Sequence, residues 1–339
     1  MKPKITLKQI AQQLGYSVST VSKALTDNPE ISEPTSKRIK EFAKLSGYKP
    51  NSMAQNLKRQ RTNTIGVIIP NILNPFFAKV FSGIEKYANG KGYNVITYIS
   101  NESLDKERQA IHLLSNGTVD GFILSMAEET QKANQVSHFK EVINEGVPIV
   151  MFDRTSDSID CDKVIVDDYD SSVFATQYLI DKGSKRIVLL SSEAGLSVCK
   201  LRAKGYEDTL KTNNIKLDEQ LVIMTDSVED YNARIEDLVN SIFFDGIFAL
   251  DEHASTLAMK LALKRGIRIP EDLQIIGFAD GVWSRRLTPS LATISQHGPQ
   301  IGEEAAKLLI ARIESKEENS AYKTTIINTE LRYRDSVRK

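Results

Sequence analysis

Cysteine is almost missing: Cys161 and Cys199 are the two in 339 residues. That excludes a disulfide framework and a thiolate zinc site, and it fits two inert thiols in a reduced cytosolic protein. Histidine is nearly as scarce. His112, His138, His253 and His297 are scattered, with no spacing that suits a metal. His253 and His297 fall near strand ends in the second half of the chain and read as polar contacts or surface residues. Nucleotide and catalytic signatures are absent too: there is no Walker A loop, G-x-G-x-x-G, H-E-x-x-H, G-x-S-x-G or C-x-x-C. No apolar run reaches the roughly 18 residues of a membrane span, and MKPKITLKQIAQQLG has no apolar signal core. The expectation is a cytoplasmic protein that is not an enzyme and uses no cofactor or metal.

Net charge is also absent, with 44 basic and 44 acidic residues. The balance hides an asymmetry. Residues 1–62 hold 12 Lys and Arg against 4 Asp and Glu, a net +8, so residues 63–339 hold 32 against 40, a net −8. A basic head on an acidic body is an electrostatic footprint for a polyanion.

The head spells out three helices. Thr6 with Gln9 is a capping-box pair, and Leu7, Ile10, Ala11 and Leu14 follow at helical spacing until Gly15. Ser17 caps a second helix running to about Leu25, with Val21, Ala24 and Leu25 turned inward. A third begins near Ser32, tolerates Pro34 in its first turn, puts Ile39, Phe42, Ala43 and Leu45 on its apolar side, and stops at Gly47. Two helices joined by a short Gly-containing turn make a helix-turn-helix. The outer face of the second helix carries Ser17, Val18, Ser19, Ser22 and Lys23. Hydroxyls and a Lys suit phosphates and base edges, and Val18 suits a thymine methyl. The plainer reading is a solvated face of a small bundle, and the charge asymmetry favours DNA.

Three groups of residues carry a family resemblance: Thr20-Val21-Ser22-Lys23-Ala24-Leu25, Gly47-Tyr48-Lys49-Pro50-Asn51, and Ala54 with Leu57 three residues on. The head resembles the DNA-binding domain of the LacI/GalR family of bacterial transcription regulators. The resemblance implies base-reading positions at Val18, Ser19 and Lys23. Lys23 stands where the family often has Arg, and a Lys lacks the bidentate fork. It also implies a hinge helix at 51–58 that forms when two copies pair on DNA. Leu57 would wedge into the minor groove, Ala54 would allow close approach, and Gln55 stands where Arg is usual. The DNA-contact set is therefore Thr6, Ser17, Val18, Ser19, Thr20, Ser22, Lys23, Asn51, Ala54, Gln55, Leu57 and Lys58.

Beyond residue 63 strands and helices alternate. Strands are predicted at 64–70, 93–99, 119–125 and 148–152, then near 163–166, 186–191, 221–224, 246–250, 273–278 and 291–295. A single helix is predicted over 131–145, and a C-terminal pair of strands near 324–334. Such alternation means doubly wound parallel sheets, whose ligands sit at the carboxyl ends of the strands. The body resembles the two-lobed periplasmic sugar-binding-protein fold, so the fold class is α/β with an all-α head. The domains expected are 1–50 for the head, 51–62 for hinge and linker, and 63–339 for effector binding and dimerisation. The resemblance places the N-lobe at about 63–160 plus 292–322 and the C-lobe at about 162–291 plus 323–339.

Residues just past the strand ends are the candidate ligand contacts: Asn74, Phe76, Phe77, Asp153, Arg154, Arg202, Asp251, Asp280 and Gln296. Each has a plainer role, as core aromatic, surface ion pair, lobe-interface residue or helix cap. Together they resemble the ribose-binding pattern Asn-x-Phe-Phe, Asp-Arg, Arg-x-x-Gly and Ala-Thr-Ile-x-Gln. Ala279 stands where the family commonly has Asp, so Asp280 either substitutes from a shifted position or faces solvent. The function implied is a homodimeric repressor on a palindromic operator, controlled by a sugar or sugar derivative. With no heptad tail after the last strand, a dimer is expected rather than a tetramer. A soluble sugar-binding protein without DNA function is the rival reading, and it leaves the basic head unexplained.

Overall fold

A computed structural model describes residues 5–48, 61–279, 281–315 and 320–338 of the chain. They fall into two compact units, Met1–Thr62 and Asn63–Lys339.

The head is three helices, α1 (Leu7–Leu14), α2 (Val18–Leu25) and α3 (Glu33–Leu45). The capping box forms: Gln9 N donates to Thr6 Oγ1 at 3.3 Å, and Thr6 N to Gln9 Oε1 at 2.8 Å. Ser17 Oγ accepts from Thr20 N at 3.0 Å and opens α2. Ile10, Ala11, Val21, Ala24, Ile39 and Ala43 close the core, with Tyr16 and Tyr48 packed against it. Leu45 departs from the predicted apolar side and is 87% exposed. It lies two residues past Ala43, about 200° around the helix, so it must face away.

The second unit holds two sheets. The first contains β1 (Thr64–Ile69), β2 (Asn94–Ile99), β3 (Gly121–Leu124), β4 (Ile149–Phe152), β5 (Asp162–Val166) and β11 (Thr324–Ile327). Its order is β11-β5-β4-β3-β1-β2, parallel throughout. The second contains β6 (Ile187–Ser191), β7 (Val222–Met224), β8 (Gly246–Ala249), β9 (Gln274–Phe278), β10 (Ala292–Ser295) and β12 (Glu330–Arg332). Its order is β12-β10-β9-β8-β6-β7. Alternation puts Ile65, Val67 and Ile69 of β1 in one core layer and Ile68 in the other. The first layer packs α4 (Pro75–Gly90) and α13 (Gly298–Glu314); the other packs α5 (Leu104–Ser115) and α7 (Ser137–Asn144). Around the second sheet lie α8 (Asp168–Asp181), α9 (Ser197–Thr212), α10 (Val228–Ser241) and α11 (Glu252–Lys264), with the short α12 (Trp283–Arg286) before β10. No helix among the described residues is long and apolar enough to cross a membrane.

Three expectations need correction. The helix predicted over 131–145 is two helices, α6 (Glu128–Ala133) and α7, broken at Asn134, whose φ is 51°. The lobe boundaries also move. β5 and β11 belong to the first sheet and β10 to the second, so the first lobe keeps the strand at 162–166 and the second keeps that at 292–295. The chain crosses between lobes after β5, after β10 and after β11. Finally, β11 and β12 are not partners but join different sheets. The direction of β12 follows from chain geometry. After β5 and β10 a long helix carries the chain to the far edge of the next lobe, and a parallel strand returns. β11 and β12 are joined by Asn328 and Thr329 alone, so β12 starts at the inter-lobe side and runs outward, antiparallel to β10.

Candidate functional site

Parallel strands in both sheets end toward the gap between the lobes, and the residues that follow them converge there. A cleft with about 460 Å³ of free space, its mouth included, is lined by Asn74, Phe76, Phe77, Asp153, Arg154, Arg202, Asp251 and Gln296. Of the nine residues singled out from the sequence, eight meet here. Asp280 lies outside the described residues, and Ala279 lines the cleft beside it. Val198, Leu250, Phe278, Glu193 and Glu252 complete the lining.

Each side chain is placed by its element. Asn74 caps α4, its Oδ1 accepting from Phe76 N at 3.0 Å, which turns Phe76 and Phe77 inward. Their rings meet edge to face at 5.2 Å, and Phe77 reaches Phe152 at 6.2 Å. Asp153 leaves β4 in a left-handed conformation, φ 57°. Arg154 is buried, not part of a surface pair. Its Nη1 donates to Glu102 Oε2 at 2.6 Å, its guanidinium lies 5.4 Å from the Phe77 ring centre, and Glu193 Oε2 across the cleft is 3.8 Å from Nη2. Arg154 Nε is buried without a hydrogen-bond partner, 3.9 Å from Asp153 Oδ2.

The second lobe holds its own arginine. Arg202 Nε donates to Asp168 Oδ1 at 2.7 Å and Nη1 to Leu250 O at 2.8 Å, while the guanidinium stacks 3.7 Å from the Phe278 ring centre. Gly205 explains the Arg-x-x-Gly spacing: a Cβ there would lie 2.6 Å from Tyr169 O, so only Gly lets α9 come close enough to α8 for Arg202 to reach Asp168. Asp251 is indeed a helix cap. It accepts from Ala254 N at 2.7 Å, Ser192 N at 2.8 Å and Ser192 Oγ at 3.1 Å, which fixes it at the cleft wall.

Burial sets the electrostatics. It raises the Asp153 carboxyl, against the pull of Arg154 and Arg202 and a hydrogen bond from Gln296. Glu193 is pushed up to about 7 by burial, with Asp251, Glu102 and Asp153 adding and Arg154 opposing. Burial also holds Cys161 near 11 and Cys199 near 12, so neither is a thiolate at neutral pH.

No histidine lines the cleft. His138 is in the first lobe, its Nε2 3.0 Å from the fully buried Glu107, which also accepts from Thr130 Oγ1 and Ala127 N. His253 lies against the Tyr231 ring, and His297 is 3.8 Å from Glu330. Among the described residues no group of three or more His, Cys, Asp or Glu is placed to hold a metal.

In the head, Ser17, Val18 and Ser19 are exposed, Val18 by 44%, at the start of α2. Ser17 Oγ lies 2.8 Å from both Ser19 Oγ and Thr20 Oγ1. Ser22 and Lys23 follow, half-buried, and Lys23 Nζ is paired with Glu30. Thr6 is the exposed cap of α1. Asn51, Ala54, Gln55, Leu57 and Lys58 lie outside the described residues.

A basic helix-turn-helix unit and a two-lobed α/β unit with a polar-aromatic cleft define a DNA-binding transcription regulator with an effector-type body. Residues 62–333 match the profile for periplasmic binding proteins and the sugar binding domain of the LacI family, and residues 6–51 match bacterial regulatory proteins of the lacI family. The chain belongs to the LacI family. It is 34% identical to the ribose operon repressor of Bacillus subtilis (strain 168), over 92% of each chain. It is 28% identical to the HTH-type transcriptional repressor PurR of Vibrio vulnificus (strain CMCP6), over 98% of this chain and 99% of that one. Its fold matches the lac repressor dimer bound to operator and the anti-inducer ONPF, with a TM-score of 0.86 at 19% identity over 98% and 99% of the two chains.

Proposed function

We propose that this chain is a cytoplasmic, homodimeric repressor whose hold on a palindromic operator is set by a polyol, a sugar or sugar derivative, bound between the lobes. The observation that carries the reading is the cleft, where Phe76 and Phe77 supply faces for a ring and Asn74, Asp153, Arg154, Arg202, Asp251 and Gln296 supply polar groups from both lobes and the crossover between them. A site of buried polar groups favours a ligand whose hydroxyls match them, because unmatched groups would be left unpaired.

On DNA, Val18, Ser19 and Lys23 of each α2 read base edges in the major groove of one half-site, with Ser17, Thr20, Ser22 and Thr6 on the backbone. Asn51, Ala54, Gln55, Leu57 and Lys58 form the hinge between half-sites, Leu57 acting as the minor-groove wedge. Ligand and operator are linked reciprocally: a ligand that loosens DNA is itself bound less tightly on DNA. Relatives named for ribose and for PurR repression support both halves of this reading.

The test is selection of fragmented source-genome DNA on the purified protein, with and without a sugar mixture, followed by sequencing. A palindrome enriched in one condition and depleted in the other supports the reading. A log–log salt slope of roughly −0.9 per phosphate contact should accompany it. No enrichment in either condition would overturn it.

A further inference from the structure

The cleft is unbalanced in charge. Two arginines line it, and both are already engaged by carboxylates outside the lining: Arg154 by Glu102 at 2.6 Å, Arg202 by Asp168 at 2.7 Å. Four further carboxylates, Asp153, Glu193, Asp251 and Glu252, stand in the lining itself. Asp251 is accounted for as a helix cap. Glu193 has no comparable structural role. Its side chain is half-buried, 36% accessible, its nearest cation is Arg154 Nη2 at 3.8 Å, beyond hydrogen-bond reach, and no hydrogen bond to its carboxylate is found among the described residues. On the opposite wall the Arg154 side chain is 3% exposed, yet its Nε is a donor without a partner. A buried donor left unmade is costly, so the cleft wants an acceptor there.

From these two groups, and resting on the reading of the cleft as the effector site, we propose that the effector is a polyol carrying a protonated amine. Its ring lies on Phe76 and Phe77, one of its oxygens accepts from Arg154 Nε, and its ammonium pairs with Glu193. An anionic sugar is disfavoured: a phosphate or carboxylate would meet four carboxyl groups in the lining, would hold Asp153 and Glu193 in their protonated forms, and would find no guanidinium free of a carboxylate partner. A neutral sugar would satisfy Arg154 Nε but leave Glu193 desolvated and unmatched.

The experiment uses the full chain and a panel of probes: D-glucosamine, D-galactosamine and D-mannosamine, their neutral parents, their N-acetyl derivatives, the corresponding hexose phosphates, and D-ribose. Thermal shift at pH 7 identifies binders, and calorimetry measures their Kd. The expected result is an amino sugar bound more tightly than its parent, its N-acetyl form and its phosphate. Glu193→Gln should cost that amino sugar roughly ten- to a hundred-fold in Kd, the loss of one charged hydrogen bond, and should not weaken binding of the neutral parent, which no longer leaves a desolvated carboxylate unmatched. A neutral sugar or a phosphate that binds best, with Glu193→Gln indifferent, would overturn the inference and keep the cleft as a polyol site. No shift with any probe would overturn both.

Discussion

Gln131 and Ser197 exchange two hydrogen bonds between the lobes: Gln131 Nε2 donates to Ser197 Oγ at 2.7 Å, and Ser197 N donates to Gln131 Oε1 at 3.1 Å. Beside them Lys132 Nζ lies 2.8 Å from Asp226 Oδ2, whose Oδ1 accepts from Gly195 N at 2.6 Å. α6 of the first lobe is thus latched to the loop before α9 of the second. A Cβ at Gly195 would fall 2.3 Å from Lys132 Cε and 3.1 Å from Asp226 Oδ2, so a larger residue there would push the end of the lysine side chain away from its carboxylate partner. Each neutral hydrogen bond contributes about 0.5–1.5 kcal/mol and the exposed ion pair about 0–1 kcal/mol. Gln131→Ala with Lys132→Ala should therefore shift the ligand-free body toward an open form by about 1–4 kcal/mol. Small-angle scattering should report a larger radius of gyration, and Gly195→Ala should do the same. A radius unchanged in both proteins would mean the lobes are held by something else.

Arg202, proposed above as a ligand contact, is also a strut, tied to Asp168 and Leu250 O. With its partner removed, Asp168 would be a buried, unpaired carboxylate, and breaking such a pair costs about 3–5 kcal/mol. Arg202→Ala should lower the urea midpoint of the body accordingly. Adding Asp168→Asn to the same chain should recover most of the loss, because the stranded charge is gone. Losses that simply add in the double variant would show that the pair carries little of the effect.

The strand-end rule made most of the cleft legible in advance. Asn74, Asp153, Asp251 and Gln296 follow strands whose carboxyl ends must converge in a two-lobed parallel fold. Glu193 obeys the same rule, two residues past β6, and was missed because Ser191-Ser192-Glu193-Ala194-Gly195 reads locally as a polar turn. Its proximity to Arg154 and its burial depend on the other lobe. The lobe boundaries failed for a related reason. Whether β5 or β10 joins one sheet or the other is decided by partners far away in sequence, and the apolar pattern of either strand suits both sheets. Leu45 failed on a helical phase that the sequence did contain.

Glu193 gives a pH test that needs no ligand. Burial lifts its folded-state pKa from 4.5 to about 7, opposed by Arg154 and aided by Asp251, Glu102 and Asp153. A raised carboxyl means the folded body holds this proton more tightly than the unfolded chain. Its contribution is fully present below about pH 4.5 and is lost as pH rises through about 7. Glu193→Gln, which mimics the protonated form, should melt with the parent near pH 4.5 and above it at pH 8. A difference in Tm that stays constant across this range would mean that Glu193 ionises as an ordinary surface carboxylate.

In the head, Lys23 is held by Glu30. The pair is exposed, 40% and 64% by side chain, so it stabilises the fold by no more than about 1 kcal/mol. It matters more for binding. Lys23 has to leave Glu30 to reach a base edge or phosphate, and Glu30 then remains as a negative charge next to the DNA. Removing that charge should help at low salt, where exposed charges are least screened. Glu30→Gln should bind the selected operator about two- to ten-fold tighter at low ionic strength, a gain of about 0.4–1.4 kcal/mol, and the gain should shrink as salt rises. Lys23→Ala separates the two roles of the lysine. If Lys23 meets a phosphate, the variant should weaken every sequence alike and flatten the salt slope by about one; if it meets a base, it should relax preference at one position of each half-site. An unchanged affinity in Glu30→Gln at low salt would place Glu30 away from the DNA and remove Lys23 from the reading face.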